Sequence, residues 1–317
     1  MNLFDMSLDQ LNKYMPELTS KPDFHSFWDS RIKENTQYPL NIEVKERVYP
    51  VKGIKVKDVY FDGFRNSRLH AVYISPVTIE ESKPVAVIFH GYNWNTLQPN
   101  YAFKHVIQGY PVLMIEIRGQ NIESPDKNHY DNGGSAGWMT VGINQPDNYY
   151  YTHVYMDCFR GVDVARKLSG KSSVYVEGAS QGGAMALAVA ALQKNILFTL
   201  CDIPFLSHFE RSIKLASDGP YKEIYHYFKV QDPLHTTTKR IFETLSYIDC
   251  MNLAGRVTCP TLMSVGLEDT ICPPSSIFAI YNHLNCSKEI NVYPEYGHEV
   301  PAIHEEVKLQ FIASHIG

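Results

Sequence analysis

Val174-Tyr175-Val176-Glu177-Gly178-Ala179-Ser180-Gln181-Gly182-Gly183-Ala184-Met185-Ala186-Leu187 is the stretch whose reading decides the fold. Val174 to Val176 is a short apolar run that reads as a buried strand. From Ala184 the chain stays apolar to Leu192 and reads as a buried helix. Between them, Gly178-Ala179-Ser180-Gln181-Gly182 matches G-x-S-x-G. The bare pattern arises often by chance, and it is the strand before it and the helix after it that give it meaning. Small residues let the helix pack closely on the strand while Ser180 sits on a strained turn with its hydroxyl exposed. The plainer reading is a glycine-rich turn with a serine at a helix start; the strand–turn–helix setting favours a nucleophile.

The neighbouring segments repeat the alternation. Residues 84–89, 111–116, 173–176, 196–201 and 260–265 are nearly continuous apolar runs, as expected of parallel strands covered on both faces. Helix-length segments at 154–168, 181–193, 221–230 and 236–246 lie between them, and another is predicted over 21–34. Upstream, residues 41–48, 55–61 and 68–74 alternate apolar and polar, as in strands with one wet face. This predicts an α/β-hydrolase fold: a mostly parallel central sheet, helices on both faces, and an antiparallel N-terminal extension. Functional residues are then expected at the carboxyl ends of the strands. Gly119 to Asn148, rich in Gly, Asn, Asp and Pro, is too long for a plain connection and is expected to be functional or interface-forming.

Composition supports one folded domain over residues 1–317. Hydrophobic residues are 44% of the chain, enough for a sizeable core, and charged residues are 20%, too few for a disordered one. The net charge is -5 and basic runs such as 52–57 are interrupted, so neither nucleic acid nor an anionic membrane is an expected partner. No basic-then-apolar leader is visible at the N-terminus, and the longest apolar run is about half a membrane span. A cytoplasmic location is expected, with the six cysteines, none in a C-x-x-C pair, reduced and packed.

A serine hydroxyl needs a base. In this fold the acid and the histidine follow the serine in chain order. His298, in Tyr296-Gly297-His298-Glu299, follows a strand at 290–293 and precedes the last helix. His208, His226, His235 and His283 fall in or beside helical segments, and His304 and His315 belong to the final helix. The acid has three candidates: Asp269, which follows the strand ending at Val265; Glu268 beside it; and Asp202, which ends the preceding strand. Position after the later strand favours Asp269. The oxyanion of an acyl-transfer intermediate needs two N–H donors, assigned here to the backbones of Gln181 and of Tyr92 in His90-Gly91-Tyr92. The Tyr92 ring is also placed to narrow an acyl pocket. His298-Glu299 with His304 lacks the H-E-x-x-H spacing, and no P-loop lysine follows Gly178, so no metal site and no cofactor are expected. Tyr149-Tyr150-Tyr151 offers stacking faces for sugars or, more often for such runs, core packing.

Beyond the elbow, Arg118-Gly119-Gln120, His90-Gly91-Tyr92, Gly137-Trp138-Met139-Thr140, Gly178-Ala179-Ser180-Gln181-Gly182-Gly183, Asn252-Leu253-Ala254, Pro273-Pro274-Ser275 and His298-Glu299 together resemble the acetyl xylan esterase and cephalosporin C deacetylase family, carbohydrate esterase family seven. The resemblance runs from Leu3-Phe4-Asp5 to the C-terminus; Ala179 stands where relatives often carry Gly. It implies a metal-independent, intracellular acetylesterase with the triad Ser180, Asp269 and His298 and an oxyanion hole from Tyr92 and Gln181. It also implies acetylated xylo-oligosaccharides and cephalosporin C as substrates and a homohexamer, a trimer of dimers, to which residues 119–148 contribute. Three other readings fit the same pattern less well. They are a prolyl-oligopeptidase-type peptidase, a general short-chain carboxylesterase, and a catalytically silent binding protein on this fold.

Overall fold

The computed structural model describes residues 4–94, 97–131 and 137–316. Leu3, where the family resemblance begins, and residues 132–136 of the long loop lie outside the described residues. In chain order the strands are β1 (Glu43–Arg47), β2 (Ile54–Asp62), β3 (Arg68–Pro76), β4 (Val85–Phe89), β5 (Val112–Ile115), β6 (Val174–Ala179), β7 (Ile196–Asp202), β8 (Thr261–Gly266) and β9 (Lys288–Tyr293). They form one sheet in the order β1-β2-β3-β5-β4-β6-β7-β8-β9. The pairs β1/β2, β2/β3 and β3/β5 are antiparallel, and every pair from β5/β4 to β8/β9 is parallel. This is the α/β-hydrolase architecture, including the antiparallel N-terminal extension.

The helices are α1 (Leu8–Leu11), α2 (Phe24–Thr36), α3 (Phe103–Val106), α4 (Tyr150–Ser169), α5 (Gln181–Leu192), α6 (Phe209–Leu215), α7 (Tyr221–Val230), α8 (Thr238–Ile248), α9 (Cys250–Leu253), α10 (Pro274–His283) and α11 (Ile303–Ile316). Side-chain alternation splits the core in two. Tyr175, Phe198 and Leu262 point to the face covered by Val106 of α3 and Phe311 and Ile312 of α11. Val174, Val176, Cys201 and Met263 point to the face covered by α2, α4, α5, α9 and α10. A sheet buried on both sides has no room for polar alternation, which is why β4 to β8 read as apolar runs.

Several boundaries move from their sequence positions, α8 for instance to Thr238–Ile248, and two of the moves have a visible cause. α2 starts at Phe24 rather than Lys21, because its anchoring pair Phe24 and Trp28, one turn apart, begins there. α4 starts at Tyr150 rather than Val154, and Tyr149, Tyr150 and Tyr151 are wholly buried. The tyrosine run is therefore core, not a sugar-stacking face. All six cysteines are free thiols and five of them are buried. No helix among the described residues is long and apolar enough to cross a membrane.

Candidate active site

Ser180 stands between β6 and α5 with φ 56° and ψ -119°. A non-glycine residue at positive φ pays in backbone strain, and strain of this kind gathers at functional turns. Glycine is required on both sides: a Cβ on Gly178 would strike the backbone of Gly182, and one on Gly182 would strike the Phe89 carbonyl. The turn is held from β7 by the Ser180 N–H, which donates to the Asp202 carbonyl at 2.9 Å.

The Ser180 hydroxyl lies 2.8 Å from His298 Nε2, and His298 Nδ1 lies 2.8 Å from Asp269 Oδ2. His298 sits in the loop between β9 and α11 with its side chain 19% exposed, whereas the Asp269 side chain is wholly buried. Asp269 Oδ1 accepts the backbone N–H groups of Ile271 at 2.9 Å and Cys272 at 2.8 Å. With its other oxygen on the imidazole, the carboxylate has a partner on each side, so Nδ1 carries the proton and Nε2 faces the serine as an acceptor.

The rival acids are occupied or misplaced. Asp202 Oδ1 binds Ser264 Oγ at 2.9 Å and His304 Nε2 at 2.8 Å, and its Oδ2 binds Lys308 Nζ at 2.9 Å. Burial opposes its charge, but Lys308 and His304 outweigh that and lower its pKa. Glu268 points to solvent. Asp202 and His304 therefore make a second carboxylate–imidazole pair, beneath the elbow and unconnected to the Ser180 hydroxyl.

The loop after β4 is built around a neutral histidine. His90 Nε2 accepts the Ile117 N–H at 2.9 Å, so Nδ1 holds the ring proton and donates it to the Gly91 carbonyl at 2.7 Å. Burial lowers the His90 pKa, which keeps this tautomer uncharged. Among the described residues the Tyr92 N–H has no hydrogen-bond partner in the protein. Gln181, as the first residue of α5, has no intrahelical acceptor for its own N–H.

Sequence reasoning named Arg118-Gly119-Gln120 without a role for Gln120. The Gln120 and Gln181 amides pair reciprocally, Nε2 to Oε1 at 2.8 Å and Nε2 to Oε1 at 3.0 Å, and Gln120 Oε1 also accepts the Asn93 N–H at 2.9 Å. One side chain thus ties the β4 loop to the elbow. Glu223 on α7 had no sequence signal at all. Tyr92 donates its hydroxyl to Glu223 Oε1 at 2.6 Å and accepts the Trp138 N–H at 2.8 Å, while Met139 N–H donates to Glu223 Oε2 at 2.9 Å. Burial raises the Glu223 pKa, and the bonds from Tyr92 and Met139 offset part of the rise. The described parts of the 119–148 segment therefore brace the Tyr92 ring. Beneath them, Arg118 and Asp157 form a buried bidentate pair at 2.5 and 2.7 Å.

The mostly parallel sheet and the glycine-flanked serine on a strained elbow between β6 and α5 define this chain as an α/β-hydrolase by fold, with His298 and Asp269 lined up behind the Ser180 hydroxyl. Its residues 1–315 match the acetyl xylan esterase (AXE1) family model, and the chain belongs to that family. It is similar to the acetyl xylan esterase from Paenibacillus sp. R4, with 41% identity, 98% of this chain and 100% of that one covered, and a TM-score of 0.95. It is also similar to acetyl xylan esterase 1 from Thermoanaerobacterium sp. JW/SL YS485, with 34% identity, 99% and 100% coverage, and a TM-score of 0.94. Acetyl esterase Axe7A of Xylanibacter ruminicola is 29% identical over an alignment of 301 positions that covers 89% of this chain and 65% of that relative's length. An acylaminoacyl peptidase, 16% identical with a TM-score of 0.62, shares the fold alone.

Proposed function

We propose that this protein is a serine acetylesterase that removes acetyl groups from acetylated xylo-oligosaccharides and from related small molecules such as cephalosporin C. The observation that carries the reading is the unbroken line from Ser180 Oγ through His298 to Asp269, at 2.8 Å for each bond, in a chain of the acetyl xylan esterase family. Ser180 Oγ attacks the acetyl carbonyl carbon while His298 Nε2 takes the hydroxyl proton. Asp269 keeps the imidazole in the required tautomer and stabilises its charged form. The N–H groups of Tyr92 and Gln181 receive the oxyanion. The intermediate collapses, the sugar oxygen leaves with the proton from His298, and water then repeats the sequence to release acetate and restore Ser180. Each step uses the chain's own groups.

The test is acetate release across a panel of acetylated xylo-oligosaccharides, other acetylated sugars and cephalosporin C, with fluorophosphonate labelling mapped by mass spectrometry. Label on Ser180 and the highest kcat/KM on acetylated xylo-oligosaccharides are expected. An unlabelled Ser180 would remove the covalent mechanism, and faster cleavage of a peptidyl-proline chromogenic amide assayed alongside the panel would favour a peptidase. The family resemblance also supports a cytoplasmic homohexamer, which sedimentation equilibrium tests: a stable monomer at micromolar concentration would overturn the assembly.

A further inference from the structure

Cys272 lies three residues past Asp269, and the sequence marks it only as a packed thiol. Its side chain is wholly buried. One donor atom each from Asp269, Cys272 and His298 lie within 4.8 Å of one another, the one such group of three among the described residues. Thiolate, imidazole and carboxylate are the donor types of tetrahedral zinc sites, and three protein ligands leave a position for water. Metal-ligand spacing could not be read from the sequence, because His298 comes from a different strand end than Asp269 and Cys272.

We propose that Asp269, Cys272 and His298 form an inhibitory site for a soft divalent cation of the zinc type, which regulates the hydrolytic site by capturing its base. The inference rests on the reading of His298 as that base. The ion enters between Asp269 and His298 Nδ1, where a hydrogen bond now stands. With Zn–N and Zn–O bonds of about 2.0–2.2 Å, the present 2.8 Å separation opens to roughly 3.4 Å. The Cys272 thiol gives its proton to solvent and binds as thiolate. The imidazole proton moves from Nδ1 to Nε2, so the ring stays neutral and ligates through Nδ1. A protonated Nε2 cannot accept the Ser180 proton, and turnover stops although Ser180 is untouched. One proton is released per ion bound. Hard cations avoid thiolate ligands, so Mg²⁺ and Ca²⁺ leave activity unchanged.

The experiment uses the full chain. Zinc inhibition is measured for wild type, Cys272→Ser and Cys272→Ala, each relative to its own metal-free rate, and Cys272→Ala keeps the backbone N–H that Asp269 needs. Losing a direct ligand should raise the inhibitory zinc concentration by about 100-fold or more. Binding is read separately by titrating Co²⁺ into Ser180→Ala and watching for the thiolate-to-cobalt charge-transfer band. That band forms whether or not Ser180 is the nucleophile, so failure of the hydrolase reading and failure of the metal site are distinguishable. The proposal is overturned if both Cys272 variants are inhibited like wild type, or if Co²⁺ saturates Ser180→Ala without the band. If only one variant folds, that variant and the cobalt spectrum decide.

Discussion

Lys308→Met is the most informative perturbation of the scaffold. Lys308, on α11, places Nζ 3.0 Å from Glu177 Oε1, 2.9 Å from Asp202 Oδ2 and 2.6 Å from Glu305 Oε1. Burial works against its charge, but Glu177, Asp202 and Glu305 outweigh that and hold its pKa above the ordinary lysine range. Methionine fills much of the volume and removes the charge. Glu177 then keeps Lys104 at 2.6 Å and His105 at 2.9 Å, and Asp202 keeps His304 at 2.8 Å. Breaking a buried ion pair from one side costs about 3–5 kcal/mol. For a chain of 317 residues, at about 2.1 cal/mol/K per residue, the entropy of unfolding near the midpoint is roughly 0.67 kcal/mol/K. The expected fall in Tm is therefore about 4–8 °C by scanning calorimetry. Neutralising the stranded carboxylates should recover part of it, so Lys308→Met with Asp202→Asn should melt above the single variant. A fall of less than about 2 °C, or no recovery in the double variant, would refute the reasoning that these charges depend on one another.

Other outcomes follow from the site. Ser180→Ala should reduce kcat by several orders of magnitude with an unchanged circular dichroism spectrum, and substantial residual turnover would remove Ser180 from the mechanism. Asp269→Asn should cost on the order of 10⁴ in kcat, by analogy with serine proteases, whereas Asp202→Asn should act mainly on stability; kinetics showing the reverse order would reassign the acid. Tyr92, braced by Glu223 and Trp138, should confine the acyl group. An overpacking cost of about 1–3 kcal/mol corresponds to roughly 5- to 150-fold in rate, so kcat/KM should drop steeply from p-nitrophenyl acetate to butyrate, and equal rates on octanoate would favour a general carboxylesterase. His153, wholly buried, has its pKa lowered to about 2 by burial and by Arg118, Arg65 and Arg31. Its folded-state value is below the unfolded one, so its contribution is complete above about pH 6.5 and is lost as pH falls from there towards 2. Between pH 7.5 and 5 that loss is about 2 kcal/mol, visible in urea midpoints and absent in His153→Gln if the reasoning holds.

What the sequence determined by itself was whatever closes within a few residues. The strand–turn–helix around Ser180 is local, because G-x-S-x-G, an apolar strand and a small-residue helix impose the elbow on one another. The parallel core was legible because strands covered on both faces leave no polar alternation, and His298 because chain order places it after the last strand. Tyr149 to Tyr151 could not be sorted between core and ligand face, since an aromatic ring suits both and only the packing of α4 decides. Chain position favours Asp269 over Asp202, but only the tertiary structure shows why Asp202 does not compete. Both residues lie at or beyond the ends of adjacent parallel strands. Asp202 is held by Lys308, 106 residues beyond it, whose ammonium takes one carboxylate oxygen while His304 takes the other. Glu223, 131 residues from Tyr92, and the approach of Cys272 to His298 were hidden for the same reason. Helix and strand periodicity is written into neighbouring residues, whereas a side chain's partners depend on which strand ends the sheet brings side by side.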